Sequence, residues 1–277
     1  MKEKYFLWKG LKLCYYDSET SGTPILIVHA NGYSALCYQF YVQELSKHNR
    51  VLALDFAGHG KSEGSLDFEN WWFFRDQILG LLEAEKIESC IGLGHSLGGS
   101  CMVQAAIAAP EKFQMVLGLD PTILGFTIVF LSKFFDNPLA KGARSRRRVF
   151  KSLALVQKGF RQFPQFKNWD PAIFQNYVES CFTKLESGEL QLACDPELEA
   201  KIFRNAAFRV FFRIFRFSSK AHILSIPREK GGVCPKLYGN WLSRKNGTHE
   251  HWKDSTHFFP FEEPKKTLEW IQKQLQR

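Results

Sequence analysis

The chain of 277 residues reads as an α/β protein, a doubly wound and mostly parallel sheet that carries an inserted helical cap. Three observations predict this fold. Apolar runs of strand length alternate with stretches at helical spacing through the first 120 residues, the order that builds a parallel sheet. The runs themselves, such as Pro24-Ile25-Leu26-Ile27-Val28, are continuous where a one-sided strand would alternate, as expected of strands covered on both faces. From about Gly125 to Ser219 the strand signal disappears, which divides the chain into a core of residues 1–124 and 220–277 and a helical cap of residues 125–219.

In order, Tyr5, Leu7, Leu11, Leu13 and Tyr15 alternate around Gly10 and predict an antiparallel hairpin at a sheet edge. The run from Thr23 is the next strand and ends in His29-Ala30-Asn31-Gly32-Tyr33. Tyr38, Tyr41, Val42 and Leu45 mark a helix, and Arg50 to Asp55 a strand that runs into Phe56-Ala57-Gly58-His59-Gly60-Lys61-Ser62. Trp71, Phe74, Ile78 and Leu82 give a second helical stripe. A strand through Cys90, Ile91 and Leu93 then enters Gly94-His95-Ser96-Leu97-Gly98-Gly99, and Met102, Val103, Ala105, Ala106 and Ile107 leave it as a helix. Met115 to Leu119 is a further strand with Asp120 at its end. In the cap, Asp170-Pro171 and Asp195-Pro196 each pair a capping carboxylate with a proline suited to the first helical position. Phe174, Tyr177, Val178 and Cys181 fall on one face behind the first, and Phe208, Phe211, Phe212 and Phe215 behind the second. The sheet resumes at His222 to Ile226, followed by a helix over Lys236 to Arg244 and a last strand from Thr248 to Lys253. Leu268, Ile271 and Leu275 mark a closing amphipathic helix.

Composition bounds the setting. With 45% hydrophobic and 23% charged residues the chain reads as an ordinary globular protein, and its net charge of +9 favours acidic surfaces without any nucleic-acid motif beside it. Cations gather at Arg144, Arg146, Arg147, Arg148 and Lys151, while Arg209, Arg213 and Arg216 interleave the cap phenylalanines. Two readings stand for them: a solvated face, or weak contact with an anionic membrane surface or acidic substrate. The seven cysteines are an odd number without a C-x-x-C pair, which points to a reducing compartment. The apolar run before Lys9 is too short for a signal-peptide core, and the longest elsewhere, Phe126 to Leu131, is far below a membrane span. The expectation is a cytoplasmic protein, its oligomeric state left open.

The chemistry concentrates at Gly94-His95-Ser96-Leu97-Gly98, a G-x-S-x-G between strand and helix. A serine on so sharp a turn is strained, and the flanking glycines are needed because side chains there would meet the tightened backbone. The turn exposes the hydroxyl and aims the Leu97 N–H, at a helix N-terminus, toward a developing oxyanion. In a parallel sheet, sites form at the carboxyl ends of strands, where His29, Asp55, Ser96 and Asp120 all lie. His249 and His251 alternate on one strand face but have no third ligand, so no metal is expected.

Together these pieces resemble the α/β-hydrolases over nearly the full length. The resemblance rests on His29-Ala30-Asn31-Gly32 after the third strand, Asp55-Phe56-Ala57-Gly58-His59-Gly60-Lys61-Ser62 after the fourth, Gly94 to Gly99, and Thr256-His257-Phe258 before the last helix. His-Ala-Asn-Gly, with the cap stretch Ala193-Cys194-Asp195-Pro196-Glu197-Leu198-Glu199-Ala200, is similar to a set of bacterial hydrolases. The resemblance implies Ser96 as nucleophile, His257 as general base, and the backbone N–H groups of Asn31 and Leu97 as the oxyanion hole. His95, His29 and His59 are left with structural roles. The acid departs from the family pattern, because the usual place after the cap reads Pro227-Arg228-Glu229-Lys230-Gly231-Gly232 with no aspartate. Asp120 and Glu229 are the two candidates. The activity expected is hydrolysis of an ester of an apolar small molecule through an acyl-enzyme, without metal or organic cofactor. Thioesters, amides and activated carbon–carbon bonds share this machinery, and a non-catalytic ligand-binding member of the fold is the competing class.

Overall fold

The computed structural model describes residues 1–125, 138–205 and 213–277. Its strands are β1 (Lys2–Trp8), β2 (Leu11–Asp17), β3 (Pro24–Val28), β4 (Arg50–Leu54), β5 (Cys90–His95), β6 (Phe113–Leu119), β7 (Val149–Phe150), β8 (Phe182–Lys184), β9 (Leu190–Leu192), β10 (Lys220–Ser225) and β11 (Thr248–His251). Its α-helices are α1 (Gln39–Leu45), α2 (Trp72–Ala84), α3 (Leu97–Ala108), α4 (Pro138–Arg144), α5 (Leu153–Phe160), α6 (Pro171–Ser180), α7 (Pro196–Arg204), α8 (Lys236–Leu242), α9 (Phe259–Glu262) and α10 (Pro264–Leu275).

Eight strands form one sheet in the order β1-β2-β4-β3-β5-β6-β10-β11. The β1–β2 hairpin and its junction with β4 are antiparallel, and the remaining pairs are parallel. Lys9 and Gly10 turn the hairpin at φ 47° and 82°, the left-handed pair a tight two-residue loop requires. Alternate residues of the central strands part cleanly between the two faces. Ile25, Ile27, Val51, Ala53, Leu93 and Leu117 pack on one side with α1 and α10. Leu26, Val28, Leu52, Leu54 and Val116 pack on the other with α2 and α3. This double coverage is why the strands are continuous apolar runs, and each such side chain contributes about 1.5–3 kcal/mol by leaving water.

The segment between β6 and β10 leaves the sheet after Leu119 and returns at Lys220, beside the strand it left. Asp170 and Asp195 cap their helices as the sequence predicts: the Asp170 carboxylate accepts from the Ala172 and Ile173 N–H groups, and Asp195 from Glu197 N–H. The expectation of an insertion without strands is corrected, because β7, β9 and β8 form a small antiparallel sheet within it. Strands of two or three residues are too short to display a period of two, although Ser187-Gly188, with Gly188 at φ 83°, marks the hairpin turn. Of the second phenylalanine stripe, Phe208, Phe211 and Phe212 lie outside the described residues, as do Arg209 and the apolar run from Phe126 to Leu131. Phe215 is half exposed and lies edge-on against Trp241 at 5.1 Å.

Much of the basic cluster has partners. Arg144, Arg146 and Arg148 pair with Glu197, Glu199 and Asp195 at 3.1, 2.6 and 2.9 Å, three alternate arginines meeting the acidic start of α7. Among the described residues no helix is long and apolar enough to cross a membrane.

Candidate active site

Four chain reversals at the carboxyl edge of the sheet converge on one point. β5 ends at His95, and Ser96 turns the chain into α3 with φ 54° and ψ −117°. The turn closes only because its flanks are glycine. A Cβ on Gly94 would lie 2.6 Å from the Gly98 carbonyl carbon, and one on Gly98 would lie 2.4 Å from the Val28 carbonyl oxygen. The Ser96 side chain remains half-buried, with its Oγ 3.2 Å from Thr122 Oγ1 and 3.0 Å from His257 Nε2.

Asp120 follows β6 directly, is fully buried and has φ 42°. Its carboxylate accepts from Val233 N–H at 3.1 Å, from Cys234 N–H at 3.2 Å and from His257 Nδ1 at 2.7 Å. An imidazole whose Nδ1–H is given to a carboxylate presents an unprotonated Nε2, which here faces the Ser96 hydroxyl and can take its proton. Glu229, the alternative acid, is exposed on a 3₁₀ turn (Arg228–Lys230), while Gly232 and Val233 beyond it fold back onto Pro227 and Asp120. The structure therefore brings Ser96, His257 and Asp120 together and leaves Glu229 outside.

Asn31 and Leu97 border the same point. Among the described residues neither backbone N–H has an acceptor, and Leu97 is the first residue of α3, where helical amides are unpaired by construction. The Asn31 side chain is turned away, its Nδ2 donating to the Glu199 carbonyl at 3.1 Å. Glu199 also holds Arg146, whose Nη2 reaches the Tyr177 hydroxyl at 3.2 Å, so the insertion braces this loop. Tyr33, Trp169 and Phe258 make an aromatic wall beside His257, with ring centroids 5.6 Å apart for Tyr33–Trp169 and for His257–Phe258.

The other histidines are tied into the scaffold. His29 Nδ1–H donates to Ala30 O and its Nε2 accepts from Phe56 N–H. The His59 Nε2 accepts from Gly32 N–H at 3.1 Å. His95 donates Nε2–H to the His257 carbonyl at 3.0 Å and accepts from the Tyr38 hydroxyl, so it supports the backbone of the residue facing Ser96. Sequence reasoning misses Thr122 and this His95–Tyr38 support; the one signal for Thr122 is its place two residues after Asp120. His249 and His251 both reach the Ser225 hydroxyl, at 2.7 and 2.9 Å. No group of three or more candidate metal ligands occurs among the described residues.

Burial holds His29 and His95 well below the ordinary imidazole value and lowers His59 to about 4. All three fold uncharged and take up a proton on unfolding below about pH 6.5, so their contribution is full above that value and is lost as pH falls toward 4. Burial of Asp55 and Glu199 acts in the opposite sense over this range, raising Asp55 to about 7, while His222, lowered to about 4, joins the three imidazoles. The urea midpoint is expected to be lower at pH 5 than at pH 7, His59 alone accounting for roughly 2 kcal/mol. A midpoint unchanged or higher at pH 5 would mean that the buried imidazoles do not govern stability in this range.

Comparison with known proteins fits this arrangement. The family model described as "Alpha/beta hydrolase family" matches residues 25–270. A pimeloyl-[acyl-carrier protein] methyl ester esterase of Aliivibrio salmonicida is 31% identical over 105 residues, covering 37% of this chain and 38% of that protein. A 2-hydroxymuconate semialdehyde hydrolase of Pseudomonas sp. (strain CF600) is 29% identical over 123 residues, covering 43% of each. The chain thus spans about two fifths of the length of these relatives. Among solved structures, E-2-(acetamidomethylene)succinate hydrolase superposes with a TM-score of 0.81 at 17% identity, over 100% of this chain and 99% of that one. The thioesterase domain from the curacin biosynthetic pathway gives 0.74 at 14% identity, over 98% and 99%. With the family model spanning nearly the whole chain, and the sheet order and strand-end turns of that fold in place, the protein belongs to the alpha/beta hydrolase family.

Proposed function

We propose that the protein is a serine hydrolase that cleaves an ester of an apolar small molecule through an acyl-enzyme on Ser96. The observation that carries this reading is the continuous chain from Ser96 Oγ to His257 Nε2 at 3.0 Å and from His257 Nδ1 to Asp120 Oδ2 at 2.7 Å. A serine hydroxyl is a poor nucleophile until a hydrogen-bonded imidazole removes its proton. As Oγ attacks the substrate carbonyl, His257 takes that proton, and the buried Asp120 stabilises the imidazolium that forms. The negative charge that develops on the carbonyl oxygen is met by the N–H groups of Leu97 and Asn31. The imidazolium then protonates the leaving alkoxide, and water repeats the sequence in reverse to release the acid.

The esterases among the relatives favour an ester over other acyl bonds. Tyr33, Trp169 and Phe258 make the surroundings of His257 apolar, which favours an acyl or alcohol group without charge. A non-catalytic, binding-only member of the fold draws its support from the lack of an acid after the insertion. Asp120 against the imidazole supports the catalytic reading instead.

The test joins a fluorophosphonate probe to a panel of p-nitrophenyl esters of graded chain length. The probe is expected to label Ser96 of the native protein and to leave Ser96→Ala unlabelled. Each methylene buried on the aromatic wall adds up to about 0.8 kcal/mol, so medium-chain esters should exceed acetate several-fold in kcat/KM. Absence of labelling with every ester inert would overturn the proposal, and a strict preference for acetate would remove the apolar-substrate part alone.

A further inference from the structure

A second place in the molecule puts reactive groups side by side, at the seam between the sheet domain and the insertion. Cys37 lies in the 3₁₀ turn Ala35–Tyr38, just after the loop that carries Asn31, and Cys181 caps the end of α6 in the insertion. Their sulfurs are 3.6 Å apart although the residues are separated by 144 positions. Among the described residues no other two of the seven cysteine sulfurs are in contact. The surroundings are polar and shared by both sides of the seam: Ser180 Oγ–H donates to Asn176 O at 2.6 Å and its oxygen accepts from the Ser34 hydroxyl at 2.6 Å, while Ser34 Oγ lies 3.6 Å from Cys37 Sγ. A cleft of about 340 Å³ opens along this seam, and Leu36, Gln39, Asn176, Ser180 and Phe182 line it. Both cysteines are buried, yet their immediate sequence neighbours form the cleft wall, so a small polar oxidant has a short approach.

We propose that Cys37 and Cys181 are a modification site, a thiol pair that a hydroperoxide converts into a disulfide latching the insertion to the sheet domain. The two thiols are not equivalent. Burial pushes Cys37 up, but hydrogen bonding with Cys181 and Ser34 outweighs it and the net shift is down; burial and the neighbouring Cys37 push Cys181 up. Cys37, whose sulfur lies against both Ser34 Oγ and Cys181 Sγ, is assigned as the attacking sulfur. Its thiolate attacks the terminal peroxide oxygen; an S–O bond forms, the O–O bond breaks, and the departing oxygen leaves as water, or as an alcohol from an organic peroxide, after taking a proton. The Cys181 sulfur then attacks the sulfenic sulfur of Cys37, the S–S bond replaces the S–O bond, and the hydroxyl leaves as water with the Cys181 proton. Two thiols are oxidised by two electrons, which the peroxide accepts. Closing the remaining gap to bonding distance needs a shift of about 1.5 Å.

The experiment treats the intact reduced protein with one equivalent of hydrogen peroxide and maps its peptides without reduction. The expected result is a cross-linked peptide pair containing Cys37 and Cys181, loss of two of the seven thiols, and a rise in Tm of about 5 °C that dithiothreitol reverses. Cys181→Ala should give no cross-link and a trappable sulfenic acid on Cys37. All thiols remaining free, a bond between other cysteines, or oxidation of Cys37 beyond the sulfenic acid in the native chain would each overturn the proposal. Because the cross-link is read on the native protein, the result is decisive even where a variant fails to fold. The map does not depend on turnover, so its outcome is separate from that of the serine-hydrolase reading.

Discussion

The Ser96→Ala protein is expected to turn over esters on the order of 10⁴- to 10⁶-fold more slowly than the native chain while keeping its Tm. The size follows from the arrangement: without Oγ there is no nucleophile, and the residual rate comes only from binding and the Leu97 and Asn31 amides. The fold is spared because the Ser96 side chain is half-buried and its contacts are the hydroxyl of Thr122 and the imidazole of His257. His257→Ala should cost a similar factor, and the double variant little more than either alone, since the two side chains act as one unit. Steady-state kinetics on one chromogenic ester decide it. More than a tenth of native activity in either single variant would remove Ser96 and His257 from the roles proposed for them.

Asp120→Asn should lower kcat by roughly 10⁴-fold. Asp120 accepts three hydrogen bonds, from Val233 N–H, Cys234 N–H and His257 Nδ1–H. An asparagine has one oxygen and one NH₂ for those same three donors. Whichever way it turns, its NH₂ faces a donor. If it faces the imidazole, the proton moves to Nε2 and the face toward Ser96 can no longer accept. If it faces Cys234 N–H instead, that buried donor is left unpaired, which costs about 1–3 kcal/mol and lowers Tm as well. Glu229→Gln, altering an exposed side chain, should change kcat less than about threefold. Reversal of these two outcomes, a large loss in Glu229→Gln and none in Asp120→Asn, would transfer the acid role to Glu229.

The sheet and its strand-end turns are legible in the sequence because burial on both faces writes itself as unbroken apolar runs, and because glycine spacing around Ser96 reflects atoms that would collide. Asp170-Pro171 and Asp195-Pro196 are equally plain, since capping is a local matter. The insertion's small sheet is not, because three strands of two or three residues carry no period. Choosing between Asp120 and Glu229 also lies beyond local pattern. It depends on Gly232 and Val233 folding back so that two amides, far from Asp120 in sequence, join the imidazole in fixing its carboxylate. The pairing of Arg146 with Glu199 is hidden for the same reason. Each residue reads alone as a surface charge, and only the approach of α7 to the Asn31 loop makes them a brace.

The place where the insertion leaves and rejoins the sheet limits what recombination or engineering can do with it. β6 and β10 are parallel neighbours, with Leu119 opposite Leu224 and Met115 opposite Lys220. The chain must therefore travel from one edge of the sheet back to the other between them, and the insertion is that return path. A parallel pair needs a crossover of a dozen or more residues. The insertion is thus exchangeable but not removable. A shuffled or trimmed descendant can carry a different insertion in this position only if the replacement still spans the sheet and delivers β10 beside β6, where the amides following that strand can meet Asp120.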